Sequence, residues 1–178
     1  MTKKFSNEKI FVKNIPEYDN EQITPIEKDY YNVIAINTVI TFLIFTIAYF
    51  ISLNAFEFLR KIEFKLLLTV CYFVFWIFLF IYGWFAFKKR GYCFREHDVI
   101  YKFGLLEETV VLIPFNRIQH IALHQGIFSR IYGLASLQFY TAGGSTTDVN
   151  IKGFKLEDAK KFKEFVSNKI EKIKSKEF

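Results

Sequence analysis

The segment RIQHIALHQGIFSRIYG (Arg117 to Gly133) decides the fold, because it reads in two incompatible ways. As one helix it stacks His120 and His124 on a single face, the geometry of a shared metal ion. As a strand followed by a short helix it holds the two imidazoles roughly 13 Å apart, at about 3.3 Å per residue, beyond the reach of one ion. Ile118, Ile121 and Ala122 suit either period. The surroundings favour the second reading: Pro114 stands upstream, strand-like runs lie on both sides, and Gly133 stops the segment. We therefore read Arg117 to His124 as a strand and Gly126 to Tyr132 as one or two helical turns.

Working outward, the neighbours alternate as strands do. Tyr92 to Phe94 reach a polar corner at Arg95 to Asp98, after which Val99, Tyr101 and Phe103 share one face. Glu108 to Phe115 is β-branched and closes near Pro114, which cannot donate to a ladder, so a strand end or sheet edge is expected there. In ASLQFYTAGGSTTDVNIKG, Leu137, Phe139 and Thr141 share a face, Ala142 to Thr147 turn, and Val149 and Ile151 return. Gly143 and Gly144 suit the positive backbone angles of such a turn. The tail changes period: Leu156, Ala159, Phe162, Val166, Ile170 and Ile173 make one apolar stripe, and lysines cover much of the rest. After a run of strands, such a helix is expected to cover the open sheet rather than lie on a bilayer.

The residues before this lobe belong to a different solvent. The chain is 52% apolar, with 23 Phe, 10 Tyr and 2 Trp among 178 residues, and the excess is local. No charged residue occurs from Tyr30 to Phe56 or from Leu66 to Phe87. Helices of these lengths span roughly 40 and 33 Å at 1.5 Å per residue, against about 30 Å of bilayer hydrocarbon. Two such runs separated by the short link EFLRKIEFK (Glu57 to Lys65) make a transmembrane hairpin. The first run follows a polar stretch and lacks a small-residue cleavage pattern, which argues against a signal peptide. Lys88, Lys89, Arg90, Arg95 and Lys102 after the pair, with Lys13 and Lys28 before it, outweigh Arg60, Lys61 and Lys65 in the link. The positive-inside rule then puts both termini in the cytoplasm of a multi-pass inner-membrane protein. Three regions follow: a polar arm (1–29), the hairpin (30–87, spans about 30–56 and 66–87) and a lobe (88–178). Ile10, Val12 and Ile15 in the arm would suit an added edge strand or a docking contact, while its charge and prolines suit a loosely associated arm.

The net charge of +6 lies entirely in the lobe, where residues 88–178 hold 16 basic and 10 acidic side chains. A basic lobe beside an anionic leaflet is drawn to it at about 1 kcal/mol per well-placed cation, with Lys88, Lys89 and Arg90 the nearest to the surface. Nucleic acid is the competing partner for a basic domain. It is not expected, because no helix-turn-helix, zinc finger or Arg-rich cluster accompanies the charge. Cys71 lies in the second span and Cys93 in a strand, so both read as buried small hydrophobes without a disulfide.

Together these residues resemble a known family. Ile113, Pro114, Arg117, Ile118, Gln119, Gln125, Arg130, Gly133, Thr141, Ala142 and Gly143, in a basic chain with two spans ahead of them, look like the bacterial pleckstrin-homology (PH) family of YdbS-like membrane proteins. The likeness covers roughly residues 90 to 170. It implies an α+β, PH-like domain: a bent, seven-stranded antiparallel sheet or partly open barrel capped by the C-terminal helix. It assigns no settled activity.

The candidate site is non-catalytic. Ser129, Ser136 and Ser145 lack a nucleophile-elbow setting, Gly143 and Gly144 form no phosphate loop, and His97 has no second ligand nearby in sequence, so neither metal nor cofactor is expected. Arg117, Gln119, Gln125 and Arg130 are the polar set of interest. Two readings stand: they satisfy backbone groups around the bend, or they form a recognition surface for a peptide, a membrane protein or an anionic headgroup. The first hairpin sets Arg95 against Glu96 and Asp98, which is close to neutral, so specific phosphoinositide binding is not expected. Asn37, the strongly polar residue near the middle of the first span, is expected to bond to the second span or to another copy. The function expected is that of a non-enzymatic interaction module working with the bilayer, other membrane proteins or a second copy. The alternatives are an export or resistance component with oligomerised hairpins, and thirdly a membrane-bound enzyme.

Overall fold

The computed structural model describes residues 23–55, 62–141 and 148–175. Eleven residues of the link and turn readings (57–61 and 142–147), and Ile10, Val12 and Ile15, lie outside them. The described residues begin with a two-residue strand, β1 (Thr24–Pro25), followed by helix α1 (Tyr30–Ala55) and helix α2 (Ile62–Lys88). Strands β2 (Gly91–Phe94), β3 (Asp98–Phe103) and β4 (Thr109–Pro114) follow, then a 3-10 turn (Phe115–Arg117) and β5 (Ile118–His124). Helix α3 (Ile127–Ile131), strands β6 (Leu134–Thr141) and β7 (Val149–Lys155) and helix α4 (Leu156–Lys174) complete it.

Segment Arg117 to Gly133 is therefore a strand and a short helix, and the lobe is β-rich. All strand pairs are antiparallel, in two sheets ordered β1-β2-β3-β4 and β5-β6-β7. The Pro114 signal holds: β4 ends on that residue and is the outer strand of its sheet. Both inner faces meet around Val99, Ile113, Phe115, Leu137, Phe139, Ile151 and Phe154. Helix α4 closes this core with Ala159, Val166 and Ile170, flanked by Leu156, Phe162 and Ile173, which is the stripe read from its sequence. Phe162 stacks on Phe94 with ring centroids 4.0 Å apart, joining the helix to the first sheet. The tail thus spends this stripe on the lobe, and Phe165 is the large apolar side chain it leaves exposed among the described residues.

Helices α1 and α2 run 26 and 27 residues, about 40 Å each, and pack as an antiparallel pair. Their most apolar windows are 0% and 6% buried inside the protein, opposite to what a soluble core helix would show. The second helix starts at Ile62, four residues before the uncharged run, because a helix may begin in polar surroundings ahead of its oily part. The pair is fastened by hydroxyls: Thr46 with Tyr72 at 2.7 Å and Tyr49 with Thr69 at 2.8 Å. Phe42 meets Trp76 edge to face between them. Among the described residues Asn37 makes no bond to the second span, the first of the two roles expected of it. Its amide donates to the Val33 carbonyl one turn back at 2.8 Å. Cys71 is exposed on the hairpin surface and not buried, while Cys93 is half-buried.

One departure from the sequence reading reorganises the molecule. The end of the polar arm joins the domain. Thr24 and Pro25 pair with Tyr92 and Gly91, adding β1 to the first sheet, so one of the seven strands comes from ahead of the membrane helices. The Glu27 N–H then donates to the Gly153 carbonyl of β7 at 2.9 Å, and Lys155 reaches Glu27 at 3.7 Å. Ile26, Tyr30 and Val33 form a second buried cluster with Phe87 and Leu134, edged by Phe128 of α3. A single stretch, Thr24 to Val33, thereby touches both sheets and the start of the hairpin.

Candidate functional site

Two glycines let that stretch come close. Gly153 has φ +88° at a bulge where the β6–β7 register shifts, and a Cβ there would lie 3.0 Å from Tyr30 Cγ. Gly91 faces Thr24 in the same way, with a Cβ falling 3.1 Å from the Thr24 carbonyl oxygen. The lobe therefore sits on the base of the hairpin through backbone contacts, and its recesses are held near the point where the chain leaves the helices.

The larger recess, about 580 Å³, opens between the sheets. Its floor is Tyr101, Phe103, Val111 and Ile113, and its polar edge carries Arg90, Arg117, Lys152, Asp148 and Asn150. Three cations face one carboxylate. Asp148 is partly engaged, accepting the Thr141 N–H at 3.2 Å. Among the described residues no ion pair neutralises Arg90, Arg117 or Lys152. Burial pushes the Tyr101 hydroxyl above its ordinary range, and the nearby Arg90 charge opposes that rise. Tyr92 on the neighbouring strand is also raised, by burial first and then by the negative charges of Asp158 and Glu27.

A second recess, about 290 Å³, lies between α1 and the outer side of the β6–β7 pair. Tyr30, Val33, Asn37, Ser129, Ser136 and Lys152 are among its walls. Asn150 lines both recesses, and its side-chain oxygen is buried with no hydrogen-bond partner among the described residues.

The sequence-derived set does not converge. Arg117 is exposed at the rim of the large cleft, whereas Gln125 and Arg130 lie beyond the other end of β5, some 20 Å along a strand of this length. Gln125 does serve the backbone, donating to the Leu134 carbonyl at 3.0 Å. Gln119 is exposed at the register shift between Ile118 and His120. Arg130 is exposed in the last turn of α3. Of the basic trio, Lys88 lies over the Trp84 ring at 4.5 Å, Lys89 is exposed, and Arg90 turns into the cleft.

The histidines are separated as a strand requires. His120 stacks on Tyr140 across the β5–β6 pair, centroids 4.1 Å apart, and the His124 carbonyl accepts from the Ser136 hydroxyl. His97 sits at the other side of the lobe, in a hollow with Glu96, Lys169 and Lys172. In the first hairpin Arg95 grips both oxygens of Asp98 at 2.6 Å, so this guanidinium is committed to its own turn.

With this geometry established, comparison with known proteins is direct. The family model described as Bacterial PH domain matches residues 34–170, more than three quarters of the chain. The chain belongs to the bacterial PH domain family. The match begins inside α1, so this family includes the membrane helices with the sheet. The chain is also similar to the transmembrane protein YdbS of Bacillus subtilis (strain 168), 29% identical over 80 residues, which is 45% of this chain and 48% of that one. The aligned region thus spans about half the length of that curated relative. No solved structure matches the chain significantly. Two membrane-capable helices and this transmembrane relative make it a membrane protein.

Sequence reasoning missed Asn150 and Lys152. They alternate with Val149 and Ile151, and such positions ordinarily face water on a one-sided strand. Only the packing of α1 and α3 beside that face turns them into walls of a recess.

Proposed function

We propose that this bacterial PH-family protein is a non-enzymatic recruitment module. Its lobe is held on the cytoplasmic face by a two-span hairpin with both termini inside, and it engages membrane proteins or the leaflet through the cationic cleft. The observation that carries this reading is the docking of Thr24 to Val33 across both sheets. A lobe that needed only to be tethered would require no such fastening, whereas one presenting a cleft to a partner in the same membrane gains from a fixed height and orientation. The basic excess around Lys88, Lys89 and Arg90 supports the inside assignment. The cleft's apolar floor, with cations at its edge that no described residue pairs, suits a peptide segment carrying acidic and apolar side chains.

Photo-crosslinking in intact cells tests this. A crosslinker placed at Leu112 or Arg117, beside the cleft, should capture a discrete membrane-protein adduct. The same group at Lys163, on the outer side of α4, should not. Equal labelling at all three positions, or none at the cleft, would rule the recruitment reading out. Cysteine accessibility in intact cells, with one cysteine introduced near residue 175, decides the orientation: labelling from outside removes the cytoplasmic assignment.

A further inference from the structure

We propose that the smaller recess, between α1 and the β6–β7 pair, holds the headgroup of an anionic glycerophospholipid whose acyl chain runs down α1. Three observations meet there. The first is polarity beside a membrane helix: Asn37, Ser129 and Ser136 border the hollow, and although the Asn37 amide and Ser136 hydroxyl already donate to the Val33 and His124 carbonyls, their oxygens keep lone pairs that can accept from a ligand or water. The second is charge and demand. Among the described residues Lys152 is in no ion pair and stands at the rim, suited to the single negative charge of a phosphodiester, and the buried Asn150 oxygen has no donor, which a headgroup hydroxyl would supply.

The third is what lies below. Val33 and Asn37 continue on the same face of α1 into Ile40, Ile44, Ile47 and Ile51, spaced by three and four. These isoleucines are 39%, 61%, 62% and 63% exposed, so an apolar strip leads away from the recess. A hollow with a cation, hydroxyls and an unfilled acceptor, opening on an apolar strip, has the amphiphilic profile of a phospholipid. A soluble phosphate would use only the upper half. A choline headgroup would bring no hydroxyl for Asn150 and would set a second cation beside Lys152.

This inference rests on the membrane-module reading, and the two fail separately. The full-length chain, purified in mild detergent, is offered equal amounts of phosphatidylglycerol and phosphatidylcholine with matched acyl chains, and retained lipid is counted by native mass spectrometry. Phosphatidylglycerol should be retained preferentially. Lys152→Gln, a substitution at an exposed position, should reduce that preference about fivefold, the effect of one well-placed cation near the membrane surface. Lys163→Gln should leave it unchanged. Excess inorganic phosphate should not displace the lipid, because the apolar strip holds it as well.

Equal retention of the two lipids, no effect of Lys152→Gln, or displacement by inorganic phosphate would each overturn the proposal, the last by identifying a soluble-anion site. Retained phosphatidylglycerol with no crosslinked protein partner would leave the lipid site standing and remove the recruitment reading. The reverse pair of results would do the opposite.

Discussion

The backbone N–H of Glu27 donates to the carbonyl of Gly153 at 2.9 Å, which ties the residue leading into the first membrane helix to the bulge of the last strand. The bond exists because Gly153 adopts φ +88°, a conformation that an L side chain rarely enters, and because it carries no Cβ to meet Tyr30. Gly153→Ala should therefore cost about 1–2 kcal/mol from backbone conformation alone, with the contact at Tyr30 adding to it. Hydrogen exchange at residues 24–30 should accelerate while exchange in α4 stays slow. Unchanged protection at Glu27 would show that the bulge does not hold the segment.

The apolar half of the same junction is open to a separate test. Ile26 is buried among Tyr30, Val33, Phe87 and Leu134, with no polar atom to complicate its removal. Ile26→Ala should destabilise the protein by about 2–5 kcal/mol through lost burial and a residual cavity, seen as a lower Tm in detergent. Leu106→Ala, at a residue 90% exposed, is the matched control and should leave the Tm close to that of the parent. A comparable loss from both would mean that the cluster has no special hold on the lobe.

Inside the hairpin, two hydroxyl pairs link the helices among the described residues. Tyr49→Phe removes one partner of the 2.8 Å bond to Thr69, and Tyr72→Phe removes one partner of the 2.7 Å bond to Thr46, with little change in shape. Each should cost about 0.6 kcal/mol and no more than about 2, since helices in lipid find substitute partners when separated. The double variant should lower the Tm modestly and preserve the fold. A collapse of the hairpin on losing one hydroxyl would show that aromatic packing around Phe42 and Trp76 contributes less than its geometry implies.

Much of this arrangement was legible in the sequence wherever a period ran for several residues. The two uncharged runs, the alternation of β3 and β6 and the stripe of α4 are all long signals, and each became the element it indicated. The ambiguous segment at His120 was resolved by its neighbours and not by its own pattern. What stayed hidden was short or non-local. β1 is two residues long, too brief for any period, and Pro25 within it reads as a break. The recess beside Asn37 is assembled from α1, α3, β6 and β7, so no contiguous stretch announces it. The Arg117 and Arg130 pair, attractive as a motif, was divided by the extended strand between its members. A pattern specific enough to mark a family need not mark a site.

Alkaline titration examines the cleft floor without altering its charges. Tyr101 is buried, so its hydroxyl resists ionisation in the folded protein, and Arg90 offsets only part of that resistance. The folded state then keeps this proton at pH values where an unfolded tyrosine, near 10, has already begun to lose it. Because the folded form binds more protons in that window, stability should be fully present below about pH 10 and fall as the pH rises through the raised folded value. Tyr101→Phe removes the titrating group and should make the decline shallower, although Tyr92, raised for the same reason, will leave part of it. The check is Tm against pH from 8 to about 11, paired with tyrosinate absorbance. A parent and variant that lose stability in parallel would mean that Tyr101 ionises as readily folded as unfolded, and that the cleft floor is wet.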